Sequence, residues 1–428
     1  MTTNISRRDF IRGAGAGFAL GPLLFGVSRA RAGGGDVVVI GGGFGGATAA
    51  KYIRLIDPSI QVTLIEPAKT YVTCPGSNWV LGGLRKIDQI TMTYDGLERH
   101  GVKVVHDMVT HVDPDKRSVK LKSGGTLSYD RLVVSPGIDF KWGKGYTAAV
   151  SHEIPHAWKA GAQTTLLRKQ LEAMPDGGTF IIVPPNNPFR CPPGPAERIS
   201  MVAHYFKKHK PKSKIIALDP KGKFSKQGLF IEGWKKLYGY GTDASMIDYH
   251  QNVEIEEIDP KTKTVVTGVD EYKADVLNFI PDQKAGAIAH ATGLTGDGDW
   301  CPIDGRTFES TLIKGIHVIG DASIAKPLPK SGYAANSEAK VCAAAIAALL
   351  QDRPVPEPSW VNTCYSLVAP DYGISVAMVY EIDHATGKIS KVQGAGGLSP
   401  ADAPPKFRRN EALYAQSWWM TITADTWG

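Results

Sequence analysis

The run DVVVIGGGFGGATAAKYIRLIDPSIQVTLIEP, residues 36–67, leaves a chain little choice of fold. The uninterrupted apolar stretch 37–40 reads as a strand buried on both faces, the state of strands in parallel sheets. Gly41, Gly43 and Gly46 follow in the spacing GxGxxG, then a helical segment, then a second strand ending at Glu66. Each glycine has a physical reason in that setting: Gly41 for the tight turn, Gly43 for close approach of backbone to a pyrophosphate, and Gly46 for close helix packing. Glu66 is placed to bind a ribose hydroxyl. The spacing alone also fits a glycine-rich surface turn. The strand before it, the helix after it and the acid at the right distance favour a dinucleotide site, and an acid at position 66 opposes a 2′-phosphate, which leaves FAD or NAD.

Two later segments choose FAD. YDRLVVSPGI, from Tyr129, has the form of the strand and turn that close the first nucleotide domain of a two-dinucleotide flavoprotein. TLIKGIHVIGDA ends a strand on Gly320 and Asp321 and resembles the second FAD fingerprint of such proteins, in which the aspartate holds the ribitol. On its own it would also fit a plain strand ending in a turn. An alanine-rich helix follows, and its positive end suits an anionic reduced flavin at the pyrimidine oxygens, with Lys330 adding to that charge. Cys342, inside the apolar run of this helix, reads as a small buried hydrophobe.

Between the two FAD segments lies another strand, helix and strand, GGTFIIVPP, AERISMVAHYFKKH and SKIIALDP. This is the outline of a pyridine-nucleotide domain, but its turn reads IIVPPNNPFRCPPGPAE. Prolines 184, 185, 188, 192, 193 and 195 lack the N–H that would bind phosphate, and their rings take up the space of a pyrophosphate. The fold is expected to persist with NAD binding lost. From about Asp352 the composition changes, and alternating runs at 374–382 and 389–392, joined through HATGK, predict an antiparallel hairpin. The tail from Arg408 is aromatic and fits packing; it is too short and mixed for a membrane helix, and Trp418 or Trp419 is placed to border the flavin. The fold class is therefore α/β: two Rossmann-like dinucleotide-binding domains plus an α+β C-terminal interface domain. Expected boundaries are 33–148 with 285–350 for FAD, 149–284 for the pyridine-nucleotide-like domain, and 351–428 for the last.

The formal charge of +7 falls to +3 once the first 32 residues, with five arginines and one aspartate, are set aside. That argues against nucleic acid as a partner. Those residues carry paired Arg7 and Arg8, an apolar run at 14–27 and a small-x-small ending at Ala30 and Ala32. The pattern is that of a twin-arginine export signal cleaved after Ala32, with the periplasm as destination. A membrane anchor is the weaker reading, since a span needs about 20 apolar residues; no later stretch qualifies, so no transmembrane segment is expected. The five cysteines are Cys74, Cys191, Cys301, Cys342 and Cys364. They form neither a CxxCH haem site nor a zinc pattern, so no metal is expected and any haem c belongs to a partner. Cys301 has no role that its loop position suggests.

In combination, YVTCPGSNWVLGG, FRCPPGPAERISM, VIGDASIAKPLPKSGYAANSEAK and SWVNTCYS resemble the flavoprotein subunit of flavocytochrome c sulfide dehydrogenase, a relative of sulfide:quinone oxidoreductases. The resemblance implies a thioether from Cys74 to the flavin 8α methyl, and a redox-active disulfide between Cys191 and Cys364 beside the flavin. A structural bridge between domains is the rival account of that pair. It also implies an active-site acid at Glu197, where a helix-dipole glutamate would be the plainer account. The implied activity is oxidation of sulfide to polysulfide or zero-valent sulfur, with electrons passed singly to a c-type cytochrome subunit. A sulfide:quinone oxidoreductase and a non-catalytic flavin-bearing cytochrome partner are the alternatives.

Overall fold

The computed structural model describes residues 34–428, so the export signal expected within residues 1–32 lies outside the described residues. The first sheet has five parallel strands in the order Ile316–Val318, Arg131–Val134, Asp36–Ile40, Gln61–Ile65 and Val102–Val105. Its central strand is buried from Val37 to Ile40 because both faces are covered, Val37 and Val39 by helices and Val38 and Ile40 by the antiparallel strands Val109–Asp113 and Ser118–Leu121, which is why its sequence shows no alternation. The helix Phe44–Ile56 leaves that strand through the glycine turn and packs on the helix Gly332–Leu350, their alanines allowing close approach. Chain order reverses on either side of the central strand, so the loops after Ile40 and Val134 part and open a crevice at the carboxyl ends.

A second parallel sheet runs Ile247–Gln251, Lys214–Asp219, Thr179–Val183 and Val276–Phe279. It has the same reversal, at Thr179–Val183, but the corresponding crevice holds only a cavity of about 10 Å³ among Pro184, Phe189, Pro192 and Pro195. Asp219, which ends the second strand where a ribose-binding acid would stand, is engaged by its neighbours. Lys221 Nζ donates to it at 2.7 Å and to the Pro185 carbonyl at 2.6 Å, and the Tyr249 hydroxyl donates to its other oxygen. The proline turn thus packs against the fold's own side chains.

Beyond Asp352 come three antiparallel strands, Ser359–Ala369, Tyr372–Asp383 and Lys388–Leu398, the last two forming the expected hairpin. The aromatic tail forms a helix of 23 residues, Pro405–Trp427. Among the described residues no helix is long and apolar enough to cross a membrane. Lys51 Nζ donates to the carbonyls of Asp425 at 3.0 Å and Gly428 at 2.7 Å, satisfying the end of this helix. Asp425 also accepts from Tyr52 and Asn336 and pairs with Lys340 at 2.8 Å. The tail is thereby fastened to both helices that flank the first sheet.

Candidate active site

The crevice of the first sheet opens into a cavity of about 650 Å³, the size of a bound dinucleotide site. Gly41, Gly43, Glu66, Cys74, Cys191, Glu197, Gly320, Asp321, Lys330 and Cys364 all line it. Of the residues singled out from sequence around the two nucleotide turns and the cysteine pair, Gly46 alone stands behind the wall. Gly41 has φ of +99°, and a Cβ there would lie 2.3 Å from the Ser135 carbonyl oxygen, so only glycine is tolerated. Gly46 is constrained by the turn itself: a Cβ would meet the Gly41 oxygen at 1.9 Å. Around Gly43 the protein is less restrictive, its nearest neighbour being the Tyr71 hydroxyl at 3.3 Å from a Cβ. A glycine there leaves the backbone open to a molecule lying close against it.

These residues fit FAD. Glu66 accepts from the amides of Gly42 at 2.8 Å and Ala68 at 2.9 Å, which fixes its carboxylate at the adenosine end with lone pairs to spare. Asp321 uses one oxygen in a 3.6 Å ion pair with Arg190; its other oxygen, Oδ1, is buried with no partner from the protein, as the ribitol role requires. The N-cap Ser331 opens the helix Gly332–Leu350 onto the cavity and accepts from the Ala334 amide at 3.0 Å. Lys330 sits beside it, but its Nζ donates to the Asp321 and Ser323 carbonyls, both at 2.7 Å, and lies over the Trp300 ring. Burial brings its pKa down to about 8. Of the two candidate tryptophans, Trp418 lines the cavity, stacked on Tyr333. Trp419 is buried behind it and donates to the Pro75 carbonyl at 3.0 Å, which secures the loop carrying Cys74.

The Cys191–Cys364 disulfide that the resemblance implies is not formed in this structure, where none of the five cysteines is bonded to another. Cys74, Cys191 and Cys364 reach the cavity from three separate parts of the chain, whereas Cys301 and Cys342 are fully buried elsewhere, and burial pushes Cys301 up to about 12. Cys74 follows the short strand Tyr71–Val72 and receives a hydrogen bond from Arg190 Nη2 at 3.0 Å. Cys191 has left-handed backbone, φ +57°, and its amide donates to the Lys330 carbonyl at 2.6 Å. Gly194 permits this, since a Cβ there would stand 2.8 Å from the Cys191 sulfur. Burial pushes the Cys191 thiol up, and the Glu197 carboxylate and Cys364 push it further. Cys364, on the strand Ser359–Ala369, receives a 3.3 Å bond from Asn362, which in turn accepts from Ser331 at 2.6 Å.

Glu197 lies in the first turn of Gly194–His209, after Pro193 and Pro195 have started the helix. Its position is more constrained than a dipole partner's would be. Oε1 accepts from the Leu367 amide at 2.9 Å and Trp79 Nε1 at 3.3 Å, and Oε2 from Asn78 Nδ2 at 3.0 Å. Burial raises its pKa against those bonds.

Several functional neighbours escaped sequence reasoning. Arg190 bridges Cys74 and Asp321. Arg198, buried, donates to Asn78, Asn278 and the carbonyls of His156 and Ala157. Lys226 donates to the Cys364 carbonyl. Trp427 donates from its indole to the Gly42 carbonyl at 3.1 Å, with its ring stacked on Tyr71. Arg190, Arg198 and Asn78 sit inside the cysteine motifs, where nothing local announces their partners; Lys226 and Trp427 lie outside them.

A dinucleotide crevice with an orphaned ribitol acid and sulfur at its far end defines an FAD-binding member of the pyridine nucleotide-disulfide oxidoreductase class, and the family model of that description matches residues 35–144. Two further models are more specific: the central region of the sulfide dehydrogenase [flavocytochrome c] flavoprotein chain over 164–281, and the flavocytochrome c sulphide dehydrogenase flavin-binding region over 356–427. A sulfide dehydrogenase [flavocytochrome c] flavoprotein chain of Chlorobaculum thiosulfatiphilum is 68% identical over 44 residues, 10% of this chain and 92% of that sequence. The chain belongs to this sulfide-oxidising flavoprotein family. A sulfide-quinone reductase of Aquifex aeolicus is 26% identical over 308 residues, 69% of this chain and 70% of that one. The crystal structure of the sulfide:quinone oxidoreductase from Aquifex aeolicus matches with a TM-score of 0.70 at 18% identity, covering 92% of each chain, which shows a shared fold.

Proposed function

We propose that this chain oxidises sulfide through a Cys191–Cys364 disulfide and passes the electrons one at a time to a c-type cytochrome subunit carrying haem. The observation that carries the reading is the meeting of Cys74, Cys191 and Cys364 in the cavity lined by the FAD turns. Cys74 is the attachment point for the flavin as an 8α-thioether, oriented by Arg190. Hydrosulfide attacks the disulfide, one cysteine keeps the new sulfur as a persulfide, and the other leaves as a thiolate. FAD supplies a two-electron acceptor that can discharge in single-electron steps. Glu197, whose Oε1 takes two N–H donors and Oε2 one, keeps a lone pair on Oε2 for the proton of incoming hydrosulfide.

Sulfide added anaerobically to the purified holoprotein is expected to bleach the flavin, and Cys191→Ser or Cys364→Ser to abolish bleaching while FAD stays bound. Unchanged bleaching in both variants would refute the disulfide route. Acid precipitation should leave FAD attached to wild type and release it from Cys74→Ser. Similarity to the Aquifex aeolicus sulfide-quinone reductase favours quinone as the rival acceptor. Mixing sulfide-reduced protein with cytochrome c or with a soluble quinone separates the two, and co-purification of haem would decide for the first. For residues 1–32 we propose twin-arginine export to the periplasm, cleaved after Ala32; cell fractionation of a strain with Arg7 and Arg8 both changed to Lys tests it.

A further inference from the structure

One buried charge beside the cysteines is not explained by the fold. Lys226 precedes the helix Gln227–Tyr238 and is only 6% exposed. Its Nζ donates to the Cys364 carbonyl at 2.7 Å and the Ser366 hydroxyl at 2.8 Å, both neutral. No carboxylate lies within ion-pair distance of it among the described residues. Its backbone is left-handed at φ +60°, a conformation that glycine or asparagine adopts more readily than lysine. A buried, unpaired ammonium on unfavourable backbone is costly unless an anion arrives during the working cycle.

The charged and titratable groups around it come from every packed element. Cys364 stands on the strand Ser359–Ala369, Glu197 on the helix Gly194–His209, Cys191 on the turn before it and Glu411 on the last helix. Its own helix contributes the Phe230 ring at 5.8 Å. Two of these four groups are the sulfurs that the proposed disulfide joins.

We infer that Lys226 is a positioning residue that holds the countercharge for an anionic sulfur on Cys364 once the disulfide is opened. The inference rests on the disulfide reading. When hydrosulfide attacks, the S–S bond breaks and a new S–S bond forms, and the negative charge it brought passes to the departing cysteine. Whether Cys364 departs as the thiolate or retains a persulfide that loses its proton, the anionic sulfur belongs to the residue whose carbonyl Lys226 holds. Burial brings the lysine down to about 8, so it remains mostly protonated at neutral pH and can serve in this way.

The test uses the holoprotein reduced with a phosphine. Iodoacetamide capture of Cys364 is followed by mass spectrometry from pH 6 to 10 in wild type, Lys226→Met and Lys226→Arg. Loss of the charge should move the capture midpoint upward by about one pH unit or more, the ordinary effect of a nearby charge, and arginine should restore most of it. Ser366→Ala, which removes an acceptor and leaves the charge, should match wild type. If the methionine variant does not retain FAD, Lys226→Gln carries the same comparison. Identical midpoints in wild type and the neutral variant overturn the inference. Sulfide bleaching of wild type, read separately, decides the disulfide reading: failure there with a shifted midpoint refutes the route and leaves the charge effect established.

Discussion

Glu197 illustrates how tightly single side chains are specified around the sulfurs. Asn78 gives its N–H to Glu197 and the Gly194 carbonyl, while its oxygen is claimed by Arg198 Nε at 3.1 Å, so the amide has one permitted orientation. In Glu197→Gln the new amide either turns its nitrogen on Asn78 or takes the acceptor from Leu367 and Trp79. Either way a buried donor loses its acceptor, for a loss of about 1–3 kcal/mol in a denaturant titration. Glu197→Asp should be no better, because the shorter side chain cannot reach all three donors. This network was invisible in the sequence. The cysteines and glycines announced themselves because few residues do what they do, whereas Asn78, Arg198 and Lys226 are common polar residues whose meaning arises only from partners 41 to 140 positions away.

At the scale of elements, the second FAD turn is held from behind. The Gly320 amide, at φ +72°, donates to Glu338 on the helix Gly332–Leu350 at 2.6 Å. Glu338 is fully enclosed, and burial raises its pKa to about 8 from a usual 4.5, against the Gly320 bond and Lys330, which lower it. The unfolded chain therefore releases this proton near pH 4.5 and the folded chain near 8, so between those values the unfolded state binds fewer protons and stability falls as pH rises. Glu338→Gln keeps an acceptor for Gly320 without that penalty. Its melting temperature relative to wild type should climb from pH 4.5 to 8 and then level off; a constant difference would mean that Glu338 titrates normally. Strands, helices and both nucleotide turns of this region were readable from apolar runs and glycine spacing. The long final helix was not: a mixture of aromatic and polar residues without a clean apolar face gives weak periodicity, and its length is set by contacts with Lys51, Tyr52 and Asn336.

For the whole molecule, the two Rossmann-like sheets have been put to different uses. One crevice is open and sized for a cofactor, while the other is closed by proline rings and by the Lys221, Asp219 and Tyr249 cluster. NADH should consequently leave the flavin oxidised over minutes under anaerobic conditions that allow sulfide to bleach it, and should not raise the melting temperature at millimolar concentration. Rapid bleaching by NADH would show that the turn opens. The same duplication explains why sequence reading found the general architecture easily and the chemistry only through its cysteines: the fold is shared by proteins of many activities, and what distinguishes this one is a rebuilt turn.

The clasp of Trp427 on Gly42 joins positions 385 residues apart, one in the first nucleotide turn and one in the final helix. A ribosome thus finishes the cofactor turn long before it supplies the helix that clasps it. A chain interrupted before its final helix would carry every glycine needed to recognise FAD, and the cysteine proposed to bind it, yet lack the brace on their turn.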